Sequence, residues 1–86
     1  MKILAKYMTA NTQVHTGKCY YIGSWVTSGK TCKFYNVEVS GSIADTNMVA
    51  CNPGTTMILP KPGVECSNGL YAANSDNACL VWYSLG

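Results

Sequence analysis

Apolar and polar residues alternate over short stretches of this chain, and nowhere do apolar residues recur at helical spacing behind a cap. Seven runs rich in β-branched and aromatic residues are separated by turn formers: residues 2–8, 18–27, 31–39, 48–51, 55–59, 70–73 and 78–85. Ser28-Gly29-Lys30 reads as a tight hairpin turn. Asn52-Pro53-Gly54, Ser67-Asn68-Gly69 and residues 74–77 read as further turns. Pro60 and Pro62 cannot donate to a ladder, so their segment is a loop or a sheet edge. Residues 40–47 form the longest polar loop. Turn signals every 8–15 residues or so predict an all-β fold, a single small antiparallel β-sandwich or barrel of about seven strands. The domain covers residues 1–86, with 1–13 a candidate N-terminal arm or edge strand.

Two runs do not fit a strand with one wet face. In residues 31–39, Cys32 and Phe34 share one side while Tyr35, Val37 and Val39 share the other. A β-bulge near Phe34-Tyr35 would turn both sets inward; otherwise the strand is covered on both faces. In residues 78–85, Cys79, Val81, Tyr83 and Leu85 oppose Ala78, Leu80, Trp82 and Ser84. A sandwich core takes only one of those faces, so a loop or a neighbouring subunit must cover the second. Ile3, Ala5 and Tyr7 alternate with Lys2, Leu4, Lys6 and Met8 in the first run. Together with Leu80 and Trp82 they form the candidate interface.

Composition sharpens this. The chain has 86 residues, 48% of them hydrophobic and only 12% charged, against about 25% charged in an average domain. A domain this small has a marginal core and much surface, so the missing charge is missing from the surface. Such a surface points to packing against other proteins, including copies of itself. The six basic residues are all lysines and are scattered, which argues against a nucleic-acid partner. No run approaches the roughly 18 apolar residues of a membrane span, and Lys6 interrupts the apolar start that a signal peptide requires. A cytosolic product without a membrane partner is the expectation.

Five cysteines, Cys19, Cys32, Cys51, Cys66 and Cys79, cannot all pair within one chain, and no two have metal-knuckle spacing. They read as reduced, mostly buried core residues, with one or two disulfides as the rival. His15 is the sole histidine, and Glu38, Asp45, Glu65 and Asp76 form no evident acid pair. No nucleophile elbow or phosphate loop is present. The expectation is therefore no enzyme, no catalytic residue, no metal site and no cofactor.

Val14-His15-Thr16-Gly17-Lys18-Cys19, Phe34-Tyr35-Asn36, the stretch Gly63-Val64-Glu65-Cys66-Ser67-Asn68-Gly69-Leu70-Tyr71, and the closing Val81-Trp82-Tyr83 together resemble a loose group of small tailed-phage virion proteins. The resemblance covers most of the chain from Val14 onward. It departs at Asn36, where an aspartate is usual, and in the loop 40–47. It implies a virion structural role, most simply a capsid decoration protein on the outer shell. The partners implied are the major capsid protein and copies of the chain itself, a trimer by analogy with three-fold shell sites. Synthesis in the host cytoplasm is implied with them, and residues 2–8 are expected to add a strand to a shell sheet. The alternatives are a phage tail or receptor-binding accessory, and a secreted, disulfide-stapled, lectin-like module.

Overall fold

Period-2 patterning becomes strand wherever one face can reach a core, and the computed structural model, which describes residues 2–38, 43–74 and 77–86, has nine strands among them. These are β1 (Ile3–Met8), β2 (Thr12–Thr16), β3 (Cys19–Val26), β4 (Cys32–Tyr35), β5 (Met48–Asn52), β6 (Thr56–Ile58), β7 (Val64–Cys66), β8 (Gly69–Ala73) and β9 (Cys79–Ser84). A 3-10 turn, Asp45–Asn47, precedes β5. Val39, residues 40–42, and Ser75 and Asp76 of the turn at 74–77 lie outside the described residues.

All pairings are antiparallel and build two sheets. One runs β1-β9-β3, with β6 and β7 end to end along the far edge of β3; the other runs β2-β8-β4-β5. Between them lie Met8, Val14, Cys19, Tyr21, Val26, Cys32, Phe34, Cys66, Leu70, Ala72, Cys79 and Val81. Tyr21 and Phe34 meet there with ring centroids 4.9 Å apart. The all-β sandwich is as expected.

The strand count is two higher than the seven runs suggested. β2 is polar apart from Val14, and its Gln13 Nε2 donates to the carbonyls of His15, Val37 and Leu70. A strand held by a side-chain amide rather than by apolar alternation leaves no period-2 signal. β7 has only three residues and sits on a sheet edge between turns. His15 thus lies in a strand, half-buried, not in a turn.

The turn after β3 is not a hairpin. Lys30 N–H donates to the Thr27 carbonyl at 3.0 Å and Gly29 has φ +82°, yet β3 and β4 belong to different sheets. Local turn chemistry specifies a reversal; it does not choose the partner of the strand that follows. A register shift does occur beside Phe34 and Tyr35, but the extra residue is Val49 on β5, while β4 keeps an unbroken register with β8. Cys32 and Phe34 therefore face the core, and Tyr35 faces the other way. There it forms a second cluster with Val37 and Tyr71, with Met48 and Ala73 packed beside them. Of the two alternatives for residues 1–13, arm or edge strand, the described residues form the second: β1 pairs with β9 from Ile3 to Met8 as an edge strand of its own sheet, and β2 begins at Thr12.

Two local constraints hold this arrangement. Asn52 is fully buried at the crossing from β5 to β6. Its Nδ2 donates to Ser24 O (3.2 Å), Ser24 Oγ (2.9 Å) and Thr55 O (2.9 Å), and its Oδ1 accepts from Gly54 N and Thr55 N. Ser24 Oγ lies 2.7 Å from the Tyr21 hydroxyl. Burial pushes the Tyr21 phenol above its ordinary value, so it stays neutral. Gly63, at φ +84°, brings β7 against β3; a Cβ there would run into the Tyr21 carbonyl oxygen.

Truncating Asn52 leaves several buried groups unpaired, so Asn52→Ala costs about 2–4 kcal/mol of stability in urea unfolding. Gly63→Ala lowers stability by at least ~1–2 kcal/mol, read the same way, because both the backbone conformation and the space exclude a side chain.

Candidate functional site

The face of the five-stranded sheet turned away from the core is built from three cross-strand rows. Tyr7, Leu80, Trp25 and Thr56 form the first. Ala5, Trp82, Gly23 and Ile58 form the second. Ile3, Ser84, Tyr20 and Glu65 form the third. Directly opposed residues in antiparallel strands project to the same side, so each row is a line of neighbouring side chains.

Register thus places Ile3, Ala5, Tyr7, Leu80 and Trp82, the five candidate interface residues, on one face, with Ala5 opposite Trp82 and Tyr7 opposite Leu80. Three further apolar residues join them: Ile22, Trp25 and Ile58. Sequence alternation missed Ile22 because it is an extra residue in β3, inserted between Tyr21 and Gly23 opposite Tyr83 and Trp82. The broken alternation within residues 18–27 was the available signal. Trp25 could have been found from its spacing to Val26, which is buried in the core.

Large side chains stand in solvent here: Tyr7 is 62% exposed, Ile58 69%, Ile3 41% and Trp25 39%. Between Trp82 and Ile58 sits Gly23, where a Cβ would run into the Met57 carbonyl oxygen, so glycine lets the backbone of β6 lie close against β3. A depression of about 190 Å³ lies in this region, lined by Ile3, Ile22, Ile58 and Trp82. Small-molecule pockets run to about 300–1,000 Å³, so this hollow suits one apolar side chain of a partner better than a free ligand. Charge enters at one end, where Glu65 closes the third row and Lys18 Nζ lies 5.8 Å from the Tyr20 ring centre. Lys6 projects to the opposite side of β1 and stays exposed at the sheet edge, a placement that discourages strand addition there.

The remaining chemistry lies elsewhere. Among the described residues no group of three or more His, Cys, Asp or Glu is placed to hold a metal ion, and no helix is long and apolar enough to cross a membrane. His15 packs near Tyr83 of β9, with ring centres 6.2 Å apart. Asn36 Oδ1 accepts from Asn68 N at 2.9 Å and so ties the turn before β8. Four cysteines are buried, as expected, and Cys51 is exposed.

Comparison with protein-family models, curated proteins and solved structures found no match for this chain.

Because the exposed residues of this face carry little of the fold's stability, Tyr7→Ser and Ile58→Ser each change unfolding free energy by less than about 0.5 kcal/mol. Binding of a hydrophobic dye to the folded protein falls by at least half in the double variant, since the dye needs a contiguous apolar surface.

Proposed function

We propose that the protein is a non-enzymatic structural module that works by packing its outer sheet face against other protein subunits, as a capsid decoration protein does. The observation that carries this reading is the open face with two rows of large, uncharged side chains. An exposed apolar patch of this kind, rimmed by polar groups, marks a protein–protein contact in a small soluble domain. The low overall charge supports it, and the sequence motifs shared with small virion proteins support the choice of a shell as the partner. Binding to an assembled shell and not to its free subunits stabilises the shell by mass action, with no chemical step.

In this reading the face takes the contact, and the N-terminal run contributes side chains rather than an inserted strand, because β1 already pairs with β9 and Lys6 guards its free edge. Association of copies is part of the same proposal, with three as the number suggested by shell symmetry.

A second reading, a secreted binding module of the lectin-like kind, is favoured by one observation: four of the five cysteines face one another in pairs.

Light scattering and sedimentation decide whether the face is used. The chain self-associates or binds shells, and Trp25→Glu with Ile58→Glu abolishes that association by at least ~10-fold while circular dichroism and thermal midpoint stay unchanged. A chain monomeric at high concentration, whose shell binding survives both substitutions, removes the proposal. Hundreds of copies in purified particles separate a shell component from a tail component.

A further inference from the structure

Four of the five cysteines meet in two pairs. Cys32 of β4 and Cys79 of β9 come from different sheets and touch across the core, Sγ to Sγ 3.8 Å. Cys19 of β3 and Cys66 of β7 are directly opposed in antiparallel register. Opposed residues of such strands have Cα atoms about 4.5–5.5 Å apart, inside the roughly 4.4–6.8 Å that a disulfide spans. All four residues have zero exposure, and the fifth, Cys51, is the one in solvent. We propose that the chain is built to carry two disulfides, Cys19–Cys66 and Cys32–Cys79, formed by thiol–disulfide exchange with a small-molecule disulfide as it folds, with Cys51 left as the free thiol.

The topology favours this reading over inert core thiols. The Cys32–Cys79 bond would link the two sheets through the core, and Cys19–Cys66 would fasten the three-residue strand β7 to β3. Each pair is separated by 47 residues, and the two spans interleave, so the N-terminal and C-terminal halves are tied twice. Long closed loops are where a cross-link removes most freedom from the unfolded chain. A domain with a marginal core gains most from such bonds.

The exchange balances without any further reactant. A cysteine thiolate of the still-open chain attacks one sulfur of the donor RS–SR, forming a mixed disulfide and releasing RS⁻. As the sheets close, the partner thiolate attacks the chain sulfur of that mixed disulfide and releases the second RS⁻. One S–S bond breaks in the donor and one forms in the protein. The two thiol protons end on two RSH, and two electrons pass from the protein to the donor. At the Cys32–Cys79 pair the attacking group of the second step is Cys79. Asn74 Nδ2 lies 3.3 Å from its sulfur, and that hydrogen bond, which persists while Cys32 is held in the mixed disulfide, favours the Cys79 thiolate. Once formed, both bonds lie in the closed core, out of reach of external thiols. The inference does not depend on which partner the outer face takes.

The test uses the full chain, unfolded and reduced, then refolded in a mixture of oxidised and reduced glutathione. The product is acid-quenched, unfolded without reductant and alkylated. One alkyl group, on Cys51, is expected, and once that group's mass is subtracted the protein is about 4 Da lighter than the fully reduced chain, the four hydrogens lost to two disulfides. Peptide mapping should recover the 19–66 and 32–79 links and no other. The oxidised form should melt at least ~10 °C above the form kept reduced. The Cys51→Ser variant should give the same two links and no alkyl group. Three or five alkylated cysteines after oxidative refolding, or any link through Cys51, overturns the proposal.

Discussion

The fold turns on one buried polar junction, the Asn52 side chain and the groups it satisfies. Two sheets that exchange strands must be joined by chain that leaves one ladder and enters the other, and backbone groups at such a crossing lose their ladder partners. Asn52 meets that need with a single side chain: its amide nitrogen serves β3 and the carbonyl of Thr55, and its oxygen takes the two backbone N–H groups of the crossing turn. Ser24 passes the network on to Tyr21, whose ring packs on Phe34 of the opposite sheet. Hydrogen bonding at the crossing is thereby coupled to aromatic packing in the core. A network of this kind is favourable only when complete, since each member left unpaired in a dry interior costs more than the bond it lost.

With that junction set, the two sheets bury their inner faces and are left with two apolar outer faces that they treat differently. The four-stranded sheet covers its own: Val37 and Met48 close over Tyr35 and Tyr71. The five-stranded sheet leaves its outer rows open. The same chemistry, large uncharged side chains on β-strands, is thus a second small core on one side and an exposed apolar surface on the other. What separates them is whether chain is available to fold back. Val37, just after β4, packs with Tyr35, whereas Ile3 and Tyr7 of β1 stay exposed beside β9.

The open face also accounts for the composition. A domain this small cannot hide 48% hydrophobic residues in one core, and among the described residues Ile3, Tyr7, Trp25 and Ile58, four of the six large hydrophobics that stand in solvent, are gathered on this one surface. Gly23 and the extra residue Ile22 shape that surface: the first lets the backbone of β6 approach β3 closely, and the second supplies an apolar floor to the hollow. A bulge in β3 therefore serves the core and the outer face together, returning Ser24 and Val26 to the inside while Ile22 lines the hollow outside.

Pattern and turn chemistry alone determined the class of fold, the positions of seven strands, the doubly apolar character of the last one, and the membership of Ile3, Ala5, Tyr7, Leu80 and Trp82 in a common set. These follow from the period-2 geometry of a strand, which any stretch of sequence displays by itself. Only the tertiary structure decided which strand pairs with which. Turn residues after Val26 encode a reversal but not the sheet that β4 enters, and a strand such as β2, held by the Gln13 amide, has no apolar periodicity to read. The thiol pairs are the clearest case. Cys32 and Cys79 are distant in sequence and lie in different sheets, and nothing local distinguishes them from Cys51. Their meeting is a product of how the two sheets stack, and stacking depends on contacts that no short window of the chain contains.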